Sequence, residues 1–381
     1  MASSRAIIIG AGIGGLAAAI ALGRTGTDID AEVYEHSPDL LPIGAGISLW
    51  KNALVALERL GVRDDVRAAS VVGSNAGLRT WRGDLLVGSA ATDLARRFGE
   101  FVIVVHRAAL QRVLLAAAGP ERVHLGKSCV RIEAGTSEVT ARFSDGSSVS
   151  GDVLIGADGL HSVVRAQLHG ETPPRYSGYT AWRGVVAFDQ ARLQIGESWG
   201  HGQRFGQIPM ADGQVYWFAT ANVPAGAKSP DGEKAELRRR FHGWHDPIEA
   251  LITATPDAAI LRNDIYDRPP LRQWGRGRVT LLGDAAHPMT PNLGQGGCQA
   301  IEDAVVLARE LGRGTAVDTA LRAYEATRMP RTTFIATASH RVGVIAQIEN
   351  RAVVAARNAL VRAVGGRLQA RQLASLIDYV A

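Results

Sequence analysis

The residues with the clearest chemical potential lie in segment 283–298, which contains the carboxylate of Asp284, two prolines and a glycine-rich turn. The segment follows an apolar run that predicts a buried strand and precedes a run that predicts a helix. A glycine-rich turn that opens a helix leaves backbone N–H groups unpaired, and the helix dipole favours negative charge there. The segment therefore predicts either an anion-binding turn or an ordinary strand-to-helix connection.

A second glycine-rich turn lies near the N-terminus. The predicted strand of residues 5–9 is followed by Gly10, Gly12, Gly14 and Gly15 and then by an apolar helical run. In the G-x-G-x-x-G pattern, the first glycine permits a tight turn, the second lets the backbone approach a pyrophosphate, and the third lets helix and strand pack closely. The segment predicts a dinucleotide-binding site.

An acidic residue supports this prediction. A second predicted strand ends at Glu35, 20 residues after Gly15, where a carboxylate can accept hydrogen bonds from a ribose. Because a bound 2′-phosphate would be repelled by Glu35, the tightly held ligand is expected to be FAD or NAD rather than NADP. The sequence contains no second fingerprint, so any second dinucleotide is expected to bind transiently or not at all.

A further segment, residues 156–165, follows a continuous strand predicted at residues 149–155 and again leads into a short helix through an Asp-Gly turn at Asp158. Ser162 and Arg165 lie one helical turn apart on one face. Asp158 either contacts a ligand or caps its own backbone, and the repeated pattern favours a shared ligand. Arg107 opens another predicted helix, where it faces either an anion or carbonyl group, or solvent.

An antiparallel sheet is predicted in the middle of the chain. Arg204 and Tyr216 alternate with apolar neighbours and are expected to project toward a pocket. Four tryptophans in this region form either a wall for a planar substrate or an ordinary core. The predicted strands comprise residues 176–188, 197–201, 203–210 and 214–222.

Composition predicts a globular protein of two domains, with 381 residues, 46% apolar and 21% charged. The formal net charge is +5, but the cationic residues are scattered, which argues against nucleic-acid binding. Cys129 and Cys298 are far apart, which argues against a disulfide framework or a zinc site and is consistent with a cytoplasmic protein.

Two segments rich in apolar residues could be mistaken for membrane-binding segments. Residues 6–23 carry no charge, but their glycines favour a strand, turn and helix over a signal peptide or membrane span. Residues 351–371 predict a helix with arginines on one side and apolar residues on the other. This helix packs on the first domain, pairs two subunits or touches a membrane surface, and packing is the default expectation.

Together, the three glycine-containing segments resemble the single-component (group A) FAD-dependent aromatic hydroxylases, the p-hydroxybenzoate hydroxylase type of flavoprotein monooxygenase. Within this family the chain is most similar to urate hydroxylase, salicylate hydroxylase-like and zeaxanthin epoxidase-like members. The resemblance implies an α/β fold: a Rossmann-like FAD-binding domain, an antiparallel-sheet substrate domain and C-terminal helices. The implied domains are residues 1–75, 100–172 and 270–345 for FAD, 76–99 and 173–269 for substrate, and 346–381 for the final helices.

The resemblance also implies roles for particular residues. Glu35 would hold the FAD ribose, Asp284 the ribityl chain or pyrophosphate, and Asp158 both FAD and a visiting NADH or NADPH. Other cofactor contacts are implied for Ser48, Arg107 and the backbone of Val130. Residues implied to border the isoalloxazine ring are Pro288, Gly294, Gly296 and Gly297.

The implied activity is NAD(P)H-dependent reduction of the flavin, addition of O2 to give a C4a-hydroperoxide, and transfer of OH to an electron-rich ring or alkene. Arg204 and Tyr216 match positions that hold substrate in the urate-oxidising relatives. Those relatives have an aspartate where this chain has Asn292, which cannot act as a base. No other base stands out, and His201 is a weak candidate.

Two alternatives to this activity stay open from the sequence. A protein of the same fold could use FAD without oxygenation, as a dehydrogenase, reductase or halogenase, although the halogenase segment Trp-x-Trp-x-Ile-Pro is absent. A non-catalytic binding protein could use the same scaffold. The sequence does not distinguish a monomer from a homodimer.

Overall fold

The computed structural model describes residues 4–24, 29–40, 45–73, 76–88 and 100–379, and it combines strands with helices. The helices are α1 (Ile13–Arg24), α2 (Lys51–Arg59), α3 (Arg63–Ala68), α4 (Arg107–Ala118), α5 (Val163–His169), α6 (Glu233–Arg240), α7 (Ile248–Ala254), α8 (Gly296–Leu311), α9 (Val317–Ala346) and α10 (Arg351–Ile377). The first strands are β1 (Ser4–Ile9), β2 (Ile29–Tyr34), β3 (Gly46–Trp50), β4 (Ser70–Val72), β5 (Gly77–Thr80), β6 (Leu85–Val87), β7 (Val102–His106), β8 (Val123–His124) and β9 (Cys129–Ala134). The remaining strands are β10 (Val139–Phe143), β11 (Ser148–Gly151), β12 (Val153–Gly156), β13 (Arg175–Ala187), β14 (Gly196–Trp199), β15 (Gln203–Pro209), β16 (Gln214–Ala221), β17 (Leu261–Asp267) and β18 (Val279–Leu281).

A five-stranded parallel sheet, in the order β18-β12-β1-β2-β8, forms the first core. Residues 6–9 of β1 and 153–155 of β12 are continuous apolar runs that are buried, as expected for a parallel sheet covered by helices. Strands β1, β12 and β18 each lead into one of the three glycine-containing segments. Because parallel strands share a carboxyl edge, the three segments meet at one side of the sheet.

A seven-stranded sheet, in the order β17-β13-β16-β15-β14-β5-β6, forms the second core. One face carries Trp182, Phe205 and Trp217, which are buried against helices α6 and α7. The opposite face carries Arg204 and Tyr216, since their cross-strand partners place them on the same side of β15 and β16. The alternation of side chains along these strands therefore separates a domain core from a face with polar groups.

The structure distinguishes the two roles considered for the tryptophans. Trp182, Trp217 and Trp244 belong to the hydrophobic core of the second sheet, away from Arg204. Trp199 pairs directly with Arg204 across β14 and β15 and lies on the face with polar groups. Most of the aromatic side chains are therefore core, because the large rings fill the layer between sheet and helices.

One predicted strand is wrong in its extent. Residues 149–155 were expected to be continuous, but they divide at Asp152 into β11, in an antiparallel sheet with β9 and β10, and β12, in the parallel sheet. The backbone N–H of Arg5 donates to the Asp152 carboxylate at 2.8 Å, and Asp152 N–H donates to the Arg5 carbonyl oxygen at 2.8 Å. These bonds fasten the chain to β1 where the parallel pairing begins.

The chain ends in long helices, as the sequence predicts. Helix α9 packs against α8, and the fold class is confirmed as a parallel-sheet domain joined to an antiparallel-sheet domain with C-terminal helices. Within the described residues, no helix combines the length and apolarity needed to cross a membrane.

Candidate active site

The glycine turn after β1 forms an open cradle. Gly10 has φ +105°, and a Cβ there would lie 2.5 Å from the carbonyl oxygen of Ala157. A Cβ on Gly15 would lie 1.9 Å from the carbonyl oxygen of Gly10, so this glycine allows helix and strand to touch. At Gly12, by contrast, a Cβ would meet no described atom within 4 Å. Gly12 therefore faces free space, as a pyrophosphate-binding turn requires.

Gly14 has a packing role that the fingerprint does not specify. A Cβ on Gly14 would lie 2.5 Å from Cδ2 of Leu282 and 3.3 Å from Cβ of Ala300, which belongs to α8. Helices α1 and α8 therefore touch near their N-termini. Two helix N-termini, each with a positive dipole end, open on one cleft. A direct cofactor contact by Gly14 stays a prediction.

Glu35 is oriented by the backbone around it. Its Oε2 accepts a hydrogen bond from Ala11 N–H at 2.7 Å, and its Oε1 accepts one from Ser37 N–H at 2.9 Å. The residue is 7% exposed. Because a carboxylate offers about four lone-pair positions, these two bonds leave acceptor capacity for a ribose hydroxyl.

Asp158 caps the helix that follows it. Its Oδ1 accepts from the Ser162 hydroxyl at 2.5 Å, and its Oδ2 accepts from the backbone N–H groups of Val163 and Val164 at 2.8 and 3.2 Å. Burial raises the pKa of the carboxyl above its ordinary value, although these hydrogen bonds oppose the shift. Asp158 therefore caps its own backbone, which is one of the two roles predicted for it. Its contact with FAD or NAD(P)H stays a prediction.

Arg165 joins segment 156–165 to segment 283–298, a role that the sequence did not reveal. Its Nη1 donates to the carbonyl oxygens of Ala285 and Ala286, each at 3.0 Å. Burial, and to a smaller extent Arg268, lowers the pKa of this guanidinium to about 10. The one-turn spacing of Ser162 and Arg165 was the available signal, but it did not show which carbonyls Arg165 would reach.

Asp284 lies on the floor of the cleft. Its side chain is accessible, yet it is deep among protein atoms, and this desolvation raises the pKa of the carboxyl against the opposing charges of His287 and Arg107. A Cβ on Gly296 would lie 3.9 Å from Asp284 Oδ1. The carboxylate is therefore beside the first residue of α8, where it can accept hydrogen bonds from a polar ligand.

The N-terminus of α8 is open. Gln295 precedes the helix, and no side chain of the described residues caps it. Gly294 adopts φ +60°, a left-handed turn that glycine favours. A Cβ on Gly297 would lie 2.8 Å from Cδ1 of Ile47, so β3 lies directly over the start of the helix. Negative charge near this turn would be stabilised by the helix dipole and the first N–H groups.

Helix α4 and strand β3 complete the cleft. The backbone N–H of Arg107 donates to the Ala45 carbonyl oxygen at 2.9 Å, and its side chain is exposed. Gln111, one turn later, donates from Nε2 to the Ala11 carbonyl oxygen at 3.1 Å. Gln111 thus ties α4 to the glycine cradle. In the sequence, the i+4 spacing of Gln111 from Arg107 was the signal for this contact.

Three further predicted cofactor residues lie on the framework of the site. Ser48 is half-buried on β3, and its carbonyl oxygen accepts a contact from Cys298 Sγ at 3.8 Å. The Val130 carbonyl oxygen accepts from Gln167 Nε2 at 3.1 Å. Pro288 is buried beside a water-sized cavity. Their contacts with the cofactor stay predictions.

A buried ionic network supports the turn that contains Asp284. His287 Nε2 lies 2.6 Å from Asp303 Oδ2, and Arg328 Nε donates to Asp303 Oδ1 at 2.7 Å. The N–H of Gly283 also donates to Asp303 Oδ2 at 3.0 Å. Although burial alone would raise it, His287 and Arg328 lower the pKa of Asp303 to about 2. A charged Asp303 therefore holds the turn against α8 and α9.

Arg204 lies at the polar end of the second sheet and is only 3% exposed. Its Nη2 donates to Asn292 Oδ1 at 2.7 Å, and its Nη1 donates to Glu197 Oε1 at 3.1 Å. Its Nε is shared between Gln347 Oε1 at 3.0 Å and Thr220 Oγ1 at 3.2 Å. A guanidinium has five N–H donors, so two remain beyond these bonds.

Asn292 has a fixed amide orientation. Its Oδ1 accepts from Arg204 and from the Tyr179 hydroxyl, the latter at 3.2 Å. Its Nδ2 donates to Thr290 Oγ1 and to the Ser339 carbonyl oxygen, both at 2.9 Å. An aspartate here would set a second acceptor against the Ser339 carbonyl. The surroundings therefore select a neutral amide at this position.

Tyr216 is on the same face as Arg204 but is not beside it. Arg204 pairs with Thr220, four residues from Tyr216 along β16, which corresponds to about 13 Å. A Cβ on Gly46 would lie 2.6 Å from the Tyr216 ring, so this ring packs against β3. Burial raises the pKa of its hydroxyl, and Arg183 opposes that shift. The face between Arg204 and Tyr216 is long enough for an aromatic ring system.

The open glycine cradle, the acceptor capacity of Glu35 and the uncapped N-terminus of α8 fit a dinucleotide. A family model described as "FAD binding domain" matches residues 3–339. The chain is 46% identical over 358 residues to aurachin C monooxygenase/isomerase from Stigmatella aurantiaca, covering 93% of each protein. It is 42% identical over 334 residues to FAD-dependent urate hydroxylase from Klebsiella pneumoniae subsp. pneumoniae, covering 86% of each.

A solved structure is also similar to this chain. Klebsiella pneumoniae HpxO complexed with FAD and uric acid matches with a TM-score of 0.90 and 37% identity, over 98% of this chain and 96% of that one. The fold and site therefore define a flavoprotein with FAD as its cofactor. The chain belongs to the family of this FAD-binding domain, within the FAD-dependent monooxygenases of the aromatic hydroxylase type. The family resemblance predicted from the three motifs is confirmed.

Proposed function

We propose that this protein uses NADH or NADPH and O2 to insert one oxygen atom into a small aromatic, heteroaromatic or polyketide-like molecule, by hydroxylation or epoxidation. The observation that carries the proposal is the position of three strand–glycine–helix junctions around one cleft, beside the polar end of the second sheet. The names of the urate hydroxylase and aurachin C monooxygenase relatives support oxygenation of a ring system.

Different residues of the cleft would hold the polar tail of the cofactor and border its reactive ring. The cradle at Gly10 and Gly12 would hold the pyrophosphate, Glu35 the ribose, and Asp284 the ribityl chain. The turn from Pro288 to the start of α8 would border the ring. When bound, FAD supplies the two-electron reduction and the activation of oxygen.

The N-terminus of α8 supplies electrostatic stabilisation to the reaction. Its dipole and free N–H groups stabilise negative charge at the turn without a cationic side chain. Gly296 has no side chain and leaves room beside this turn, whereas Gly297 lets Ile47 of β3 pack closely over the start of the helix. The half-buried apolar side chains of the sheet face, including Ile208 and Phe218, exclude water from the substrate.

The substrate would bind between Arg204 and Tyr216. The remaining N–H groups of Arg204 can donate to an oxygen atom on the ring, and the Tyr216 side chain forms an aromatic wall at the other end. Asn292 orients Arg204 and does not act as a base. His201 is exposed after β14, and it is not one of the described side chains that hydrogen-bond Arg204.

The proposal is tested by oxygen and NAD(P)H consumption of the FAD-loaded protein against a panel of aromatic and conjugated compounds. Hydrogen peroxide is measured separately, because uncoupled turnover also consumes both reactants. Substrate-dependent consumption with an oxygenated product is the expected result. Turnover that proceeds only anaerobically with another electron acceptor would instead indicate a dehydrogenase or reductase. FAD-loaded protein that consumes neither reactant with any compound would contradict the proposed function.

A further inference from the structure

Resting on the proposed function, we propose that Glu197 is a specificity-determining residue: it balances the charge of Arg204, so that the site receives its substrate as a neutral ring bearing an acceptor oxygen. The inference follows from the charges around Arg204 and from the direction of each hydrogen bond there. It assigns a role to a carboxylate that the motif analysis did not single out.

Glu197 is the carboxylate in contact with Arg204 among the described residues. Its Oε1 lies 3.1 Å from Arg204 Nη1 and also accepts from Trp199 Nε1 at 2.9 Å. The register of β14 and β15 places Glu197 and Trp199 on the same face as Arg204. The hydrogen bond from Trp199 therefore holds the Glu197 carboxylate beside the Arg204 guanidinium.

The other groups that contact Arg204 are neutral. Asn292 and Gln347 present amide oxygens, and Thr220 presents a hydroxyl. Tyr179 donates its hydroxyl hydrogen to Asn292, and burial raises the pKa of this phenol, which keeps it protonated near neutral pH. Glu197 is thus the group that offsets the charge of Arg204 at this end of the sheet.

A second cation lies nearby but has its own acceptors. Arg357 stacks over the Trp199 ring at 5.1 Å and donates from Nη1 to the carbonyl oxygens of Ile345 and Ala346 at 3.3 and 3.1 Å. These carbonyls are at the C-terminal end of α9, where the helix dipole is negative. These contacts compensate part of the charge of Arg357, although the charge of Arg204 still opposes it and, after burial, lowers the pKa of Arg357.

The consequence is a site in which Glu197 reduces the positive charge that a ligand meets beside Arg204. A carboxylate or other anion on the ring would approach Glu197 as well as Arg204, and in a water-excluding site the repulsion offsets the attraction. A carbonyl or hydroxyl oxygen accepts from Arg204 without that opposition. Removal of the charge of Glu197 should convert the same pocket into one that prefers anions.

The test uses two aromatic probes of nearly equal size, salicylate as the anion and salicylamide as the neutral ligand. Both are titrated into FAD-loaded wild-type protein and into Glu197→Gln at pH 7, with the absorbance of the flavin as the readout of the dissociation constant. We expect the wild type to prefer salicylamide. In Glu197→Gln, the ratio of the salicylate to the salicylamide dissociation constant should fall at least 10-fold.

Two control variants separate charge from structure. Glu197→Asp keeps the carboxylate and should keep the wild-type ratio within about threefold. Glu349→Gln removes a nearby carboxylate that binds Asn222 rather than Arg204, and it should leave the ratio unchanged. An unchanged ratio in Glu197→Gln, an equal fall in Glu349→Gln, or no binding of either probe to either protein would overturn the inference. Because binding is measured without turnover, these results are independent of the test of oxygenation.

Discussion

Glu35 and Arg204 are the two residues whose roles can be separated most sharply, because one faces the cofactor end of the cleft and the other the substrate end. Backbone N–H groups orient Glu35, and side chains from three other elements orient Arg204. Both side chains are therefore preorganised by the protein, which lowers the cost of binding a ligand.

Replacement of Glu35 by alanine should weaken FAD binding. The change removes a charged acceptor from the ribose site, and a hydrogen bond to a charged group contributes about 1.5–3 kcal/mol. We therefore expect the FAD dissociation constant to rise about 10- to 100-fold, measured by flavin fluorescence during titration of the apoprotein. Glu138→Ala, at an exposed position, is the matched control. Unchanged flavin affinity would remove Glu35 from the ribose site.

Replacement of Arg204 by alanine should raise the substrate KM without releasing FAD. The guanidinium lies at the substrate end of the face, and loss of its charged hydrogen bond should raise KM about 10- to 100-fold. Steady-state kinetics and flavin content of the purified variant give the two readouts. Arg240→Ala, on the helix behind the opposite face of the sheet, is the control. Loss of flavin with an unaltered KM would contradict the assignment.

At the scale of elements, the glycine turn separates binding from packing. Gly12 faces open space, whereas a Cβ on Gly15 would overlap the backbone of Gly10. We expect Gly12→Ala to lower flavin content while leaving the apoprotein's thermal unfolding unchanged. Gly15→Ala should lower the free energy of unfolding by about 1–3 kcal/mol or more, as overpacking does. Differential scanning fluorimetry of both apoproteins distinguishes them, and equal Tm losses would show that both glycines serve packing.

The end of helix α9 orients the substrate arginine through Gln347. Its Oε1 accepts from Arg204 Nε at 3.0 Å, and its Nε2 donates to Asn222 Oδ1 at 2.9 Å. Gln347→Met keeps the length but removes these bonds. Because Gln347 positions Arg204 and three other side chains still hold it, KM should rise only about 3- to 10-fold, or about 0.7–1.4 kcal/mol, while kcat changes little. Gln347→Glu, which keeps the acceptor, should retain a KM nearer to the wild type. A fall in kcat with constant KM would argue against a positioning role.

At the scale of the whole molecule, Asp303 of helix α8 links segment 283–298 to helix α9. Its pKa is depressed to about 2, mainly by His287 and Arg328 acting against burial. A depressed pKa stabilises the folded state above the ordinary value, near 4, and that contribution is lost as the pH falls from about 4 to about 2. The free energy of unfolding should therefore drop across this window.

Asp303→Asn provides the comparison for this pH dependence. The variant removes one of the two carboxylates that pair with Arg328. Breaking a buried ion pair costs about 3–5 kcal/mol of stability. Urea unfolding at pH 7 and at several values below pH 4 should show a less stable variant whose stability falls less steeply with acid. Parallel curves for the two proteins would mean that Asp303 does not titrate in this window.

Much of the fold could be predicted because its signals are local. Strands β1 and β12 contain buried apolar runs, and glycine is needed at position 15, where helix α1 packs closely on the turn after β1. The break at Asp152 was missed because it depends on Arg5, which is 147 residues away. The packing role of Gly14 was missed for the same reason, since Leu282 and Ala300 lie on other elements.

The three strand–glycine–helix units, the FAD fingerprint and the family could be recognised from local sequence, because turn chemistry and hydrophobic periodicity act over a few neighbouring residues. The contacts of Arg204 with Asn292, 88 residues away, of Arg165 with segment 283–298, and of Glu197 with Arg204 depend on the tertiary packing. Such contacts join separate elements, and their partners depend on how two sheets and the long helices pack. The tertiary packing therefore sets the charge of the substrate site, while local sequence sets the chemistry of its cofactor.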